Sequence, residues 1–470
     1  MATETVASSV GFRSERGAVL GALMLSTGLV ALDSTIIATA VLTITSTLGG
    51  FAQFPWLFSI YLLAQAVTVP IYGKLADTVG RKPVLMFGIA VFALGSLLCG
   101  LATSMLGLII FRAVQGIGAG AIQPMTMTIA SDLYTLTERA KVQGYLASVW
   151  AMSSVAGPLL GGVFADYLSW RWIFLINLPL SAVAAWMLLR KFAETAPRRK
   201  QKVDYLGAAL LTVGAGALIL GLLEGGQAWA WNSPASIGIF VGGAVLLVLF
   251  GLVERRAENP ILPLWVFTRR VIIASSLVSV LVGTILIGLT SYVPTFTQGV
   301  LGTGALVAGL TVGVLTLGWP IAASQAGKLY LRIGFRSTAL IGSGLATVGA
   351  ATTLLINEDS TLWQVAGSCF VIGIGMGLVA TPTLIAAQTS ADWSERGVVT
   401  SANMFGRSIG SAVGVAIFGA IVNARVGHTD HPLPSTLSSA VHLVFITVLV
   451  MAAVMVLASA CMPGRKIVDA

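Results

Sequence analysis

The stretch GAVLGALMLSTGLVALDSTIIATAV, residues 17–41, decides the fold. Its one charged residue is Asp33. A hydrocarbon core of about 30 Å needs about 20 apolar residues at about 1.5 Å each, and this stretch is long enough. A helix on a soluble core would carry a polar face, and this one has none. The stretch therefore reads as a membrane-spanning helix with a carboxyl group deep inside it.

Working outward, the pattern recurs. Apolar runs follow at approximately 54–73, 83–102, 104–131, 141–165, 172–191, 205–225, 235–253, 271–297, 304–327, 337–356, 362–389, 397–423 and 440–461. The sequence predicts an all-α polytopic membrane protein of fourteen transmembrane helices, with the break near 102–104 the shortest connection. Composition agrees: 56% of residues are hydrophobic and 10% charged, against about 25% charged in a soluble domain. A folded globule of this size needs a polar skin that the chain cannot supply.

The net charge of +9 does not point to nucleic acid, because no basic stretch stands beside a soluble reading platform. All but four of the 27 Lys and Arg residues fall in alternate connections and the two termini. The exceptions are Arg171 and Arg425 in connections on the other side, and Arg112 and Arg407 inside apolar runs. The positive-inside rule then places both termini in the cytoplasm. Trp56, Trp170, Trp172, Trp229 and Trp231 fall at the predicted outer boundary, as an aromatic belt would. Cys99, Cys369 and Cys461 lie far apart within apolar runs and read as small buried hydrophobes. The first 16 residues lack a cleavage site after a short apolar region, so the first span is expected to be retained.

The chain also echoes itself. GKLADTVGRKPVLMFG from Gly73 matches GKLYLRIGFRSTALIG from Gly327, an offset of 254. GIGAGAIQP from Gly116 matches GIGMGLVATP from Gly373, and Glu138-Arg139 matches Glu395-Arg396, both at an offset of 257. Three echoes at nearly one spacing predict two related six-helix bundles. The expected division is 1–191, an inserted helix pair with its flanking loops over 192–270, and 271–470. Repeated bundles around a midplane site are transporter architecture.

The first echo carries glycine, three residues, aspartate, two residues, glycine and then basic residues: Gly73, Asp77, Gly80, Arg81 and Lys82. It resembles the cytoplasmic loop motif of the major facilitator superfamily. RAVQGIGAG from Arg112 is similar to that superfamily's fourth-helix motif, and AGPLLGG from Ala156 to the fifth-helix motif associated with antiporters. LDSTIIATA from Leu32 and SWRWIFLINLP from Ser169 resemble the fourteen-helix drug:proton antiporter branch. There are departures. Ser153 stands where the antiporter motif opens with glycine, Ala38 and Leu42 replace an asparagine and a proline, and Leu331 stands opposite Asp77 in the second echo.

The resemblance implies that Asp77 contacts the opposite bundle near Arg396 and closes a cytoplasmic gate. The residues themselves suggest more. An ionisable residue inside a span is a functional-site hypothesis by default. Asp33 lies about 24 Å into its helix, where it can exchange a proton and, when charged, attract a cation. Arg112 lies at nearly the same depth and is placed to pair with Asp33. Glu224 ends the seventh span near the outer surface, and Arg407 lies near the midplane of the thirteenth. Gly157, Pro158, Gly161 and Gly162 form a small-residue face, with a proline that frees a carbonyl, suited to a hinge or a tight seal.

His428, Asp430 and His431 crowd one connection, but a solvated loop explains them without a metal. The glycine-rich runs follow no strand and lack the Lys-Ser/Thr of a phosphate loop. No catalytic constellation or ATP-hydrolysing domain is visible, so uphill movement would draw on an ion gradient without a cofactor.

The sequence thus predicts a monomeric, proton-coupled antiporter in a bacterial cytoplasmic membrane. It would export lipophilic, often cationic small molecules by alternating access, through a cavity between spans 1, 4 and 5 and spans 9, 12 and 13. A dedicated exporter of an endogenous metabolite, lipid or siderophore is the alternative. A membrane enzyme or scaffold would call for catalytic clusters or a large soluble portion.

Overall fold

A computed structural model describes the chain except residues 1–10, 12, 13, 15, 135, 195–203, 227, 258, 259, 261–263, 392–395, 428, 430, 431 and 463–470. The side chains of some helical residues, Asp77 and Arg396 among them, also lie outside the described set.

Among the described residues the chain is helical, with an isolated bridge between Gly225 and Trp229. Helix α1 (Gly17–Ile36) passes through a 3-10 turn at Ile37–Ala40 into α2 (Val41–Leu48). There follow α3 (Phe54–Val79), α4 (Arg81–Gly100), α5 (Met105–Leu133) and α6 (Leu136–Tyr167). The sixth predicted span is interrupted at Ile176, giving α7 (Trp172–Leu175) and α8 (Asn177–Lys191). Helices α9 (Tyr205–Glu224) and α10 (Pro234–Glu254) are the predicted insertion. Then come α11 (Arg270–Gly299), α12 (Ala305–Ile333), α13 (Phe335–Thr353), α14 (Leu362–Thr389), α15 (Arg396–Val426) and α16 (Pro434–Ala460).

Thirteen of these segments, α1 with α2 and α7 with α8 each taken as one, are long and apolar enough to cross a membrane. The predicted span not among them is α13. Its sequence FRSTALIGSGLATVGAATT is diluted by Arg336, by hydroxyls and by glycines. Gly342 and Gly349 among them face α14, where an added Cβ would lie 2.8 Å from Gly375 O and from Ile372 Cγ1, so close packing is their environment.

The repeat is visible in the packing. A glycine with positive φ separates α3 from α4 (Gly80, φ 115°) and α12 from α13 (Gly334, φ 87°). Residues with a Cβ rarely adopt that conformation. A Cβ on Gly118 would lie 2.4 Å from Phe92 N, and one on Gly375 would lie 2.5 Å from Ala346 N. In each copy the fourth helix presses its backbone onto the third at matching positions. Helices α1 and α11 likewise pack on α6 and α15.

Most of the hydrogen bonds between described residues that join α1–α8 to α11–α16 lie toward the side predicted to be outer. Gln298 Nε2 donates to Thr39 O (3.0 Å), and Asn423 Nδ2 to Ala52 O (2.8 Å). Ser59 Oγ donates to Ala412 O (3.0 Å), and the carboxylate of Asp166 accepts from the backbone N–H of Ala305 (3.0 Å) and Leu306 (2.9 Å). Helix α10 leaves Val241, Val245, Val248 and Leu252 exposed, as a lipid-facing helix should.

Two expectations about single residues change. Trp170 is 2% exposed and packs at right angles to Phe174, so it belongs to the interior rather than to an interfacial belt. Cys461 is exposed at the end of α16, unlike the buried Cys99 and Cys369. The cluster of His428, Asp430 and His431 lies outside the described residues.

Candidate functional site

Five segments meet at Asp33. The residue is fully buried in α1, and Arg112, about two turns into α5, is 1% exposed. Arg112 Nη1 donates to Asp33 Oδ2 at 2.6 Å and to Gln115 Oε1 at 2.6 Å. Arg112 Nε donates to Leu57 O of α3 at 3.0 Å. Gln115, one turn along α5, donates through Nε2 to Asp33 Oδ1 (2.7 Å) and to Ser96 Oγ of α4 (2.8 Å). Asn177, at the start of α8, donates to the same Oδ1 at 3.1 Å. The ring of Tyr61 lies 4.0 Å from the guanidinium carbon of Arg112.

Local sequence explains this convergence. Residues 112 and 115 are three apart, so they share one face of α5. A Cβ on Gly95 would lie 2.6 Å from Gln115 N and Cα, so only a glycine on α4 lets α5 bring Gln115 against Ser96. The interruption at Ile176 turns Asn177 inward at a helix start, and Asn177 is fully buried. A charge buried alone costs several kcal/mol, and paired and hydrogen-bonded it persists.

Asp33 and Arg112 are therefore brought together, as their depths suggested. Every partner of Asp33 belongs to α1–α8, so the carboxylate sits inside that group of helices and not on a surface facing α11–α16. Gln115 and Asn177 were not singled out from sequence, although both stand inside motifs that were read, RAVQGIGAG and SWRWIFLINLP. Their signal was an uncharged polar residue within an apolar run. What was missing was the knowledge that α5 and α8 both face α1.

The other singled-out residues lie elsewhere. Glu224 accepts from Trp56 Nε1 at 2.9 Å, which ties the end of α9 to the start of α3. Arg407 of α15 has its guanidinium carbon 5.3 Å from the centre of the Trp319 ring on α12. The loop at Gly80 is held within its own half. Glu194 accepts from Arg81 N (2.5 Å) and Lys82 N (3.3 Å), Lys82 Nζ donates to Phe192 O, and Arg81 Nε lies 2.9 Å from Asp132 Oδ2. The expected contact between Asp77 and Arg396 falls on side chains outside the described set. Gly73 has no neighbour within 4 Å of where a Cβ would stand.

The small residues of α6 form a seam. Gly161 lets the helix approach α1, since a Cβ there would lie 2.1 Å from Ile36 O. Gly162 faces the other way, where a Cβ would lie 2.4 Å from Leu306 Cα on α12. A Cβ on Gly157 would meet Thr35 Oγ1 at 2.0 Å. Pro158 has no N–H, which frees the carbonyl of Ser154 four residues earlier. Thr316 Oγ1 of α12 donates to that carbonyl at 2.7 Å. Helix α6 is thus wedged between α1, which carries Asp33, and α12 across the seam.

The family model described as Major Facilitator Superfamily matches residues 23–415. Multidrug resistance protein 3 of Bacillus subtilis is 37% identical over 408 residues, covering 87% of this chain and 80% of that protein. Multidrug transporter protein MdtP of the same organism is 35% identical, covering 91% of this chain and 79% of that protein. In three dimensions the chain resembles a bacterial homologue of the human lysosomal transporter Spinster in an inward-facing, unoccupied conformation. The TM-score is 0.68 at 18% identity, over 96% of this chain and 98% of that one. Its thirteen membrane-length segments, its repeated helix packing and these relatives agree: the chain belongs to the major facilitator superfamily, a family of membrane transporters rather than enzymes.

Proposed function

We propose that the chain is a proton-coupled antiporter that exports lipophilic small molecules, many of them cationic, by alternating access. It crosses the bacterial cytoplasmic membrane fourteen times as a monomer, with α13 counted as a span and both termini in the cytoplasm. Helices α1–α8 and α11–α16 act as two bundles, and α9 and α10 are inserted between them. The charge asymmetry of the connections supports the orientation, and the multidrug proteins among the relatives support the cargo.

The observation that carries the coupling is the buried Asp33–Arg112 pair. All the donors around Asp33 are committed to an ionised carboxylate. A proton on Oδ1 or Oδ2 would remove the charge that strengthens these bonds and loosen the tie between α1, α5 and α8. Because α6 is wedged against α1 and seals against α12, a change at Asp33 is felt at the seam. Protonation and substrate release would then be coupled through one rearrangement of helices. Gly157, Pro158, Gly161 and Gly162 serve as the seal, and Asp77, Gly80, Arg81 and Lys82, with Gly73 and Arg396, serve the opposite gate.

The test is ethidium efflux from cells producing the wild type or Asp33→Asn at matched levels, with and without a protonophore. The wild type should pump, the protonophore should stop it, and Asp33→Asn should fail. Ethidium movement that ignores the protonophore would sink the coupling. No ethidium movement by the wild type would favour a dedicated native cargo.

A further inference from the structure

Arg407 is the charge left over. Arg112 has Asp33, Arg81 has Asp132 and Arg16 has Glu138. Arg407 has no hydrogen bond or ion pair to any described residue, and its Nε is buried without a partner. The sequence explains why. None of α11, α12, α13, α14, α15 and α16 contains an aspartate or glutamate, so no helix of this bundle supplies Arg407 with a counter-charge. The carboxylate within the first bundle's interior, Asp33, is fully engaged by Arg112, Gln115 and Asn177. Arg407 lies about 16 Å along α15 from Arg396, where an unmatched charge is costly.

The nearest recognition element is aromatic. Arg407 reaches from α15 to the face of Trp319, within the distance for a cation–π contact. Trp319 directly precedes Pro320, which frees the carbonyl of Thr316, the residue that crosses the seam to α6. Arg407 is partly exposed despite the burial of its Nε, so it is reachable from one side.

We propose that Arg407 and Trp319 form a subsite for the acidic group of a planar aromatic substrate, with the carboxylate against the guanidinium and the ring against Trp319. A guanidinium presents two parallel N–H donors to a carboxylate, and an indole face accepts a flat ring. The cargo class then includes aromatic acids and zwitterions, not only cations. This rests on the reading of the chain as an exporter, but binding to the subsite does not depend on proton coupling.

Rhodamine 110 and rhodamine 123 share one cationic ring system, and the second is the methyl ester of the first's carboxylate. Purified protein in phosphatidylcholine nanodiscs would be titrated with each dye by fluorescence polarisation. The wild type should bind rhodamine 110 at least tenfold more tightly than rhodamine 123. Arg407→Gln should lose that preference while binding rhodamine 123 as before, and Arg407→Lys should keep part of it. Equal affinities of the wild type for the two dyes would overturn the subsite. So would an undiminished preference in Arg407→Gln. A preference that vanishes when phosphatidylglycerol replaces phosphatidylcholine would assign the charge to a lipid headgroup and overturn it too. Failed ethidium export with an intact dye preference would instead sink the multidrug reading in favour of a dedicated cargo and leave the subsite standing.

Discussion

The two copies of the repeat share a packing scheme and differ in what they bury. Gly118 meets Phe92 where Gly375 meets Ala346, Gly95 meets Gln115 where Gly349 meets Ile372, and Gly157 meets Thr35 where Gly414 meets Thr284. Carried through, these matches set Asp33, Ser96, Arg112 and Gln115 opposite Val282, Ala350, Cys369 and Ile372. The first set is a hydrogen-bonded charge cluster, and the second is buried in the apolar core. The same helix contacts therefore tolerate either interior. The difference teaches that the scaffold is set by glycines at close approaches, while the chemistry is added by polar residues in one copy. The second copy's own charge, Arg407, sits on a different helix and has no counter-charge among the described residues.

The largest effect that would sharpen this contrast is at the pair itself. Arg112→Ala leaves a buried carboxylate uncompensated and should cost about 3–5 kcal/mol, read as thermal unfolding in detergent. Asp33→Leu combined with Arg112→Met makes the first copy resemble the second. It should recover most of that stability and none of the transport. Recovery of transport by the double variant would break the account of the cluster as coupling machinery.

The reciprocal change is smaller. Ile372→Gln places an amide in an apolar core without the partners that Gln115 has, and should cost about 1–3 kcal/mol. Gln115→Leu should reduce transport while Asn177 still holds Asp33. A neutral Ile372→Gln would mean that the second copy accommodates polarity as the first does.

The seam comes next. Asp166→Ala removes the acceptor for two N–H groups at the start of α12, a cap worth about 0.5–2 kcal/mol. That corresponds to a shift of about 2- to 30-fold toward the outward-open state, at about 1.4 kcal/mol per tenfold. A cysteine placed at Thr43 should become more reactive to an impermeant maleimide added outside. The least effect is expected at Glu194→Ala, which uncaps α4 for about 1 kcal/mol and should lower the unfolding midpoint slightly without changing efflux.

Much of the fold was legible because lipid imposes a blunt rule: long apolar runs become helices. The repeat and the depths of Asp33 and Arg112 followed from counting residues. Counting could not show that Asn177 would arrive at Asp33, because that depends on which faces α1, α5 and α8 turn to one another. Nor could it show that α1 runs on through a 3-10 turn to Leu48, since the polar run from Thr43 to Thr47 looked like a connection. Trp170 was misplaced for a related reason. Position near a boundary does not say whether a ring faces lipid or the bundle. The glycines of α6 were readable as a close approach, but their two partners, Ile36 on one side and Leu306 on the other, were not.

The central claim is that Asp33 couples substrate movement to protons. The most direct measurement uses proteoliposomes loaded with a pH-sensitive dye, an imposed pH gradient, and ethidium added on one side. The wild type should move protons when ethidium is added, and Asp33→Asn at equal incorporation should not. Ethidium-driven proton movement that persists in Asp33→Asn would contradict the account.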